Sequence, residues 1–426
     1  VLRSPKLILA LLTALNLLNY VDRYVLSAVL EPMRVELGLS SLVAGLLWSI
    51  FLIGYTVTSP VFGALGDRRA PDGRGRRGAL MAAGVAVWSL ATVATGLAQG
   101  AAMLVAARAL VGVGEASYAT LAPTLIDEIA PPGRSTRWMA IFSAAVPIGA
   151  ALGFIVGGAM YKHLGWRNAF FAVGIPGVIA AFSCLFIAEP VRPSRRDAGP
   201  GAHVFRDLAD LASVPLYRGT TLGYCAYTFA LGGFAFWAPT YLHVRYQMEV
   251  GASAQSFGAV TVVGGAVGTL LGGWAADRLA RRWVPAGADA RTADEVTART
   301  NVLVCSVASA LAAPLVGAAI AAHSPKVFLA LALPCQIALF SANGPINIAI
   351  LRSAPPHVRA SAMAVAIFTI HALGDGISPP LIGLLRDRSS IQLAMSALPV
   401  VFALAAFVWG GAVRASGWLT EGVRVR

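Results

Sequence analysis

An all-α integral membrane protein, with twelve transmembrane helices in two pseudo-symmetric six-helix halves, is the fold class this sequence predicts. Three observations lead there. Hydrophobic residues make up 57% of the chain and charged residues only 12%, about half the charged share of a soluble domain, and the mean hydropathy is +0.71. Apolar runs of about 20 residues, the length that crosses a bilayer as a helix, recur about twelve times. Two short charged motifs stand at corresponding places in the two halves of the chain. The bilayer, and not a large soluble core, then covers most of the apolar surface.

The runs fall at 5–30, 41–65, 79–99, 102–126, 137–162, 168–188, 217–242, 256–276, 300–322, 327–350, 360–385 and 391–413. The first is long enough to span and lacks a small-residue cleavage site, so it reads as a helix and not as a leader. The halves are 1–188 and 217–426. Between them, 189–216 breaks the apolar pattern with Pro190, Pro193, Pro200 and Pro215 and reads as a linker, within which 203–216 has the pattern of a short amphipathic helix lying on the membrane surface. A second long loop, 280–299, holds Pro285, Gly287 and mixed charges and is expected to be mobile. Arginines crowd alternate loops: Arg74, Arg76 and Arg77, then Arg134, then Arg195 and Arg196, then Arg281 and Arg282, then Arg352 and Arg359. By the positive-inside rule both termini are cytoplasmic, as expected for a multi-pass protein of the cell inner membrane. The formal charge of +13 is thus a matter of topology and not of nucleic-acid binding. Cys184, Cys225, Cys305 and Cys335 stand singly within apolar runs, with no metal-ligand spacing, so no metal and no cofactor is expected.

The first run carries the chemistry. In Asn16-Leu17-Leu18-Asn19-Tyr20-Val21-Asp22-Arg23, two adjacent charges have hydrocarbon on both sides. Each central charge costs about 2.5–3.5 kcal/mol to insert. Adjacent helical residues point about 100° apart, so Asp22 and Arg23 need partners on other helices or in a water-filled cavity. They form either an ion pair that staples helices or a substrate or proton site at mid-membrane. The fourth run holds Arg108 and Glu115, seven residues apart and so on one face. Arg23 with Glu115, and Asp22 with Arg108, are the expected pairs. Counting Asp375 as well, three acids face two bases, and the acid left over, Asp22 or Glu115, is the candidate proton carrier, since burial favours the neutral carboxyl. His371 and Asp375, four apart, can meet as a packing contact or as a second titrating or gating site. Glycines at 149, 153 and 157, and at 264, 268 and 272, permit close helix approach and are expected at the seam on which the halves rock.

The repeated motifs are Gly63-Ala64-Leu65-Gly66-Asp67-Arg68 after the second run and Gly272-Gly273-Trp274-Ala275-Ala276-Asp277-Arg278 after the eighth. Ala130-Pro131-Pro132-Gly133-Arg134-Ser135 has its counterpart in Ala354-Pro355-Pro356-His357-Val358-Arg359. With Arg108-x-x-x-Gly112-x-Gly114-Glu115 and Gly165-Trp166-Arg167-Asn168, these make the whole chain resemble the major facilitator superfamily. Asn19-Tyr20-Val21-Asp22-Arg23, Gly112-Val113-Gly114-Glu115-Ala116 and Gly374-Asp375-Gly376-Ile377-Ser378-Pro379-Pro380 resemble its spinster branch.

The resemblance implies a secondary transporter that works by alternating access and not an enzyme. It implies proton coupling, a monomer, and a lipid-like amphipathic substrate such as a lysophospholipid or a sphingoid phosphate. The Gly63, Asp67, Arg68 element would latch the cytoplasmic side, with Asp277 and Arg278 as its repeat. Asp22 and Glu115 would carry the proton. Asn19, Tyr20, Arg23, Arg108 and Glu115 would hold a headgroup, and an apolar tail would lie against Tyr224, Tyr227, Phe229 and Trp237, although much of that aromatic set is also expected to face lipid. A multidrug or organic-anion transporter built on the same frame is the alternative, and a non-transporting receptor a further one. No Gly-x-x-x-x-Gly-Lys-Ser/Thr loop is present, which argues against ATP as the energy source.

Overall fold

The computed structural model describes residues 4–67, 76–131, 134–188, 213–355 and 358–415, with the side chains of 67, 135, 136 and 360 excepted. The helices, in chain order, are α1 Pro5–Ala28, α2 Leu30–Glu36, α3 Ser41–Asp67, α4 Arg77–Gly96, α5 Ala101–Ile129, α6 Ser135–Leu164 and α7 Trp166–Cys184. They continue with α8 Pro215–Tyr246, α9 Val250–Trp283, α10 Ala290–Ala321, α11 Pro325–Phe340, α12 Asn343–Arg352, α13 Arg359–Ile370, α14 Ser378–Arg388, α15 Ile391–Met395 and α16 Ala397–Ala415. Among the described residues, ten helical segments are long and apolar enough to cross a membrane. α1 and α8 are of spanning length but more polar. Each of the twelve apolar runs falls on helix, as lipid requires of any backbone that must satisfy its own hydrogen bonds.

Three runs read as single helices are broken. The tenth divides into α11 and α12 around Ser341 and Ala342. The twelfth divides into α15 and α16. The eleventh passes from α13 into a π-helical turn, His371–Asp375, where Gly374 leaves helical geometry (φ −102°, ψ −108°), and resumes at α14. The loop expected over 280–299 is mostly helix. α9 runs to Trp283, and α10 starts at Ala290, where the Asp289 carboxylate accepts from the Thr292 N–H. Asp294, in the first turns of α10, is held by both Arg352 and Arg359. These charges, which read as loop residues in the sequence, are therefore helix-terminal anchors. Most of 203–216, the expected surface helix, lies outside the described residues.

The chain forms two compact units. Of the described residues, the first takes in those up to 188, together with Phe236–Ala259 and Pro379–Ile391; the second takes in 213–235, those of 260–378 and 392–415. In the first, α1 packs along α6, and α5 lies between α3 and α4. The six glycines pack inside the units, while α6 and the start of α9, the two helices expected to meet, do so within the first unit through their neighbours, Gly158 on the Gly251 carbonyl and Gly258 on that of Ala151. Gly149, Gly153 and Gly157 of α6 meet Tyr20, Val21, Tyr24 and Ala28 of α1, and in the second unit Gly264, Gly268 and Gly272 of α9 meet the Gln336–Ser341 stretch. Small residues recurring every fourth position bring backbones together wherever the partner helix lies, and the stripe alone does not name that partner. The α8 aromatics also differ from expectation. Tyr227, Phe234, Phe236, Trp237 and Tyr241 are buried in protein and not turned to lipid.

Candidate functional site

The site lies in the first unit, where α5 is wedged between its neighbours. A Cβ on Gly112 would fall on the Phe51 carbonyl of α3, and one on Gly114 would strike Trp88 and Gly84 of α4. The Gly112-x-Gly114 spacing thus lets α5 approach two helices at once, and it carries Arg108 and Glu115 into the interior with no exposed surface.

There Arg23 Nε donates to Glu115 Oε2 at 2.6 Å. The Arg23 guanidinium also lies 4.9 Å from the ring centres of Tyr20 and Phe51 and 5.2 Å from that of Tyr55. A flat cation held by an ion pair and three aromatic faces is well fixed. Asn19 is buried on the same stretch of α1 as Arg23, and Asn16 Nδ2 donates to the Phe142 carbonyl at 3.0 Å. The first expected pair, Arg23 with Glu115, is formed.

The second is not. Asp22 accepts from the Thr92 hydroxyl of α4, and its other oxygen is buried without a hydrogen bond. Arg108 interacts with Asp22 electrostatically but makes no hydrogen bond to it; its three nitrogens are buried without a hydrogen-bond acceptor, and its guanidinium lies 5.2 Å from the Phe51 ring. Residues two turns apart share a face, but only packing decides which neighbour each reaches. The charge count changes as well. Asp375 belongs to the second unit and is paired at 3.0 Å with His371; within the first unit, Asp22, Glu115, Arg23 and Arg108 make a cluster of two acids and two bases.

Thr92, Phe51 and Tyr55 went unnoticed in the sequence. A threonine or an aromatic inside an apolar run has no local signal of function; only its placement beside Asp22 or Arg23 gives it one. The same is true of Glu31, which takes bidentate hydrogen bonds from Arg386 at 2.7 and 2.8 Å and others from Arg34, and of Asp387, whose carboxylate accepts from the Ser41 and Leu42 N–H groups at the start of α3. Burial alone would push the Glu31 carboxyl up, but the hydrogen bonds and charges of Arg386 and Arg34 outweigh it and hold the carboxyl at about 2.

Of the α8 aromatics nominated for a tail, Tyr227 and Trp237 are fully buried, with Tyr227 donating to the Leu339 carbonyl at 2.6 Å and Trp237 to that of Pro379 at 3.0 Å. Tyr224 and Phe229 are half-buried. Asp277 and Arg278 are exposed. Gly63 lies within α3, while the Asp67 side chain and Arg68 lie outside the described residues. Among the described residues no three His, Cys, Asp or Glu side chains gather as a metal site.

Comparison with known proteins gives this geometry its family. The family model of the Major Facilitator Superfamily matches residues 12–379. Protein spinster homolog 1 from Homo sapiens is 34% identical over 406 residues, covering 90% of this chain and 73% of the human one. The chain belongs to the spinster family. "Probable sphingolipid transporter spinster homolog 2" from Arabidopsis thaliana is 30% identical over 443 residues, covering 95% of this chain and 86% of that one. Protein spinster from Drosophila melanogaster is 32% identical over 402 residues; that alignment takes in 90% of this chain but 62% of the Drosophila protein, which is the longer. The fold matches the crystal structure of a bacterial homologue of the human lysosomal transporter spinster, solved in an inward-facing and occupied conformation, with a TM-score of 0.80 over 97% of each chain at 21% identity. Spinster proteins are membrane transporters and not enzymes, and this chain is a multi-pass member of the family.

Proposed function

We propose that this protein is a proton-coupled secondary transporter that moves a lysophospholipid or a sphingoid phosphate by alternating access between two repeat halves, 1–188 and 217–426, joined by 189–216. The observation that carries the reading is the Asp22–Arg23–Arg108–Glu115 cluster. Four ionisable side chains gather among membrane-spanning helices, three of them fully buried and Arg23 nearly so, and one, Arg108, has unused hydrogen-bonding capacity on all three nitrogens. Buried ion pairs are a poor source of stability, whereas unfilled guanidinium donors suit a phosphate that arrives and leaves. Arg23 and Arg108, with Asn19 and Tyr20, are assigned the headgroup. Tyr224 and Phe229, the half-buried members of the α8 set, are assigned the tail, and the fully buried Tyr227 and Trp237 back them. Asp22, with one oxygen unbonded, and Glu115 are assigned the proton. Protonating either carboxyl gives the cluster a net positive charge, which attracts an anionic headgroup; this links proton and substrate without a spare acid. The Gly63, Asp67, Arg68 element, its repeat at Asp277 and Arg278, and the His371–Asp375 contact are assigned to gating. The Arabidopsis relative's name supports the lipid assignment, and the arginine-rich loops support an inner-membrane location with both termini cytoplasmic.

The test uses purified protein in liposomes with an imposed proton gradient, and follows labelled lysophospholipid and sphingosine-1-phosphate. Gradient-driven movement in the parent, lost in Asp22→Asn or Glu115→Gln with exchange retained, is the expected result. Full response to the gradient in both amide variants refutes the proton assignment. No lipid movement, with a pH change evoked by a drug or an organic anion, refutes the substrate and favours the multidrug or organic-anion reading.

A further inference from the structure

The outer side of α9, α10 and α11 carries an apolar groove apart from the buried charge cluster. The cavity is 520 Å³, walled by Leu271, Trp274 and Leu279 of α9, Leu303 and Val307 of α10 and Ile337 of α11, with almost no polar atom in its lining. It opens outward. Leu271 is 47% exposed, Trp274 59% and Val307 51%, and so apolar an exposed face on membrane-spanning helices suits lipid and not water. The one hydroxyl in the wall, Ser341, is already engaged, donating to the Ile337 and Gly268 carbonyls at 2.7 and 3.1 Å.

The groove has a charged end. Leu271, Ala275, Arg278 and Arg282 follow three- and four-residue spacing and share one face of α9. The Arg278 guanidinium lies 5.7 Å from the centre of the Trp274 ring, on the groove's rim. Arg281 and Arg282 are exposed beyond it, and Asp277, the one acid of this turn, leaves the helix end basic. From Leu271 to Arg282 the helix rises roughly 16 Å at about 1.5 Å per residue, about half of a hydrocarbon core of about 30 Å. The groove is therefore about one leaflet deep, with cations where headgroups lie. A soluble anion has no use for the apolar floor, and a zwitterionic lipid gains little from the arginines.

We propose that this groove is a binding site for an anionic diacyl phospholipid of the surrounding bilayer, with an acyl chain along Leu271–Leu279 and the phosphate on Arg278 and Arg282. It is a site for a resident lipid, distinct from the transported substrate, and it stands whether or not the transport reading holds.

Trp274 reports on the site. The full chain is placed in phosphatidylcholine vesicles with increasing fractions of either phosphatidylglycerol or phosphatidylcholine bearing brominated acyl chains, which quench nearby tryptophan. Subtracting the signal of Trp274→Phe isolates Trp274 from the rest of the nine tryptophans. Brominated phosphatidylglycerol should half-saturate quenching at a mole fraction at least about fivefold below that of phosphatidylcholine, the factor expected for one arginine at an anionic surface. Arg278→Gln with Arg282→Gln, measured against its own Trp274→Phe reference, should abolish that preference and leave the phosphatidylcholine curve in place. Equal quenching by the two lipids, a preference that survives the double substitution, or no quenchable Trp274 component each overturns the proposal. Loss of the preference on adding inorganic phosphate would mean that the arginines hold a free anion, and would also overturn it.

Discussion

Replacing Glu31 by glutamine is the sharpest test of the energetics read here. The carboxylate is 6% exposed, bound through both oxygens to Arg386 and again by Arg34. Its carboxyl is held down from an ordinary 4.5 to about 2, burial being outweighed by the two arginines. At about 1.4 kcal/mol for each tenfold step in acidity, that depression corresponds to roughly 3 kcal/mol of stability. The sign follows from which state binds protons more tightly. The unfolded carboxyl protonates first, so the contribution is complete above about 4.5 and is lost as pH falls through about 2. Glu31→Gln should therefore destabilise by roughly 3 kcal/mol, equally at every pH from 5 to 8, since it also leaves Arg386, 11% exposed, facing a neutral amide. The assay is denaturant unfolding in mixed micelles, run as a double-mutant cycle with Arg386→Gln. A loss or a coupling energy below about 0.5 kcal/mol, the scale of an exposed ion pair, would show instead that this contact is loose and solvated.

Three further outcomes are expected. Thr92→Val removes the one hydrogen bond to Asp22 at nearly constant volume; it should cost about 1.5–3 kcal/mol in the parent, as for a bond to a charged group, and much less in Asp22→Asn, with unfolding measured in both backgrounds. Gly112→Ala places a Cβ on the Phe51 carbonyl and should destabilise by at least about 2 kcal/mol, whereas Gly344→Ala, with nothing within 4 Å, should be neutral or stabilise α12 by up to about 1 kcal/mol; similar values at the two sites would contradict the packing described. Arg23→Met leaves Glu115 as a buried, unpaired carboxylate and should cost about 3–5 kcal/mol, more than Arg108→Met, which breaks no hydrogen bond; the reverse order in thermal unfolding would refute this account of the cluster.

Much of the protein was legible without coordinates, for a physical reason. A bilayer imposes a one-dimensional rule: any stretch that crosses it must be apolar for about 20 residues and must pair its own backbone, so hydropathy alone located the helices. It also made Asp22, Arg23, Arg108 and Glu115 conspicuous, because a charge in hydrocarbon is costly enough to need a reason. Helical periodicity then placed Arg108 and Glu115 on one face, and repeated motifs with the spinster-like segments pointed to the family. The tertiary structure alone decided partners. Periodicity says which residues share a face but not which helix lies opposite, so Asp22 hydrogen-bonds to Thr92 and meets Arg108 only as a charge, the glycine stripes served packing within each unit, and Asp375 pairs with His371 in the other unit. Glu31 with Arg386, 355 residues away in the chain, and Arg278 with the groove beside it belong to the same class. Each depends on distances between helices, which composition and spacing along a chain do not contain.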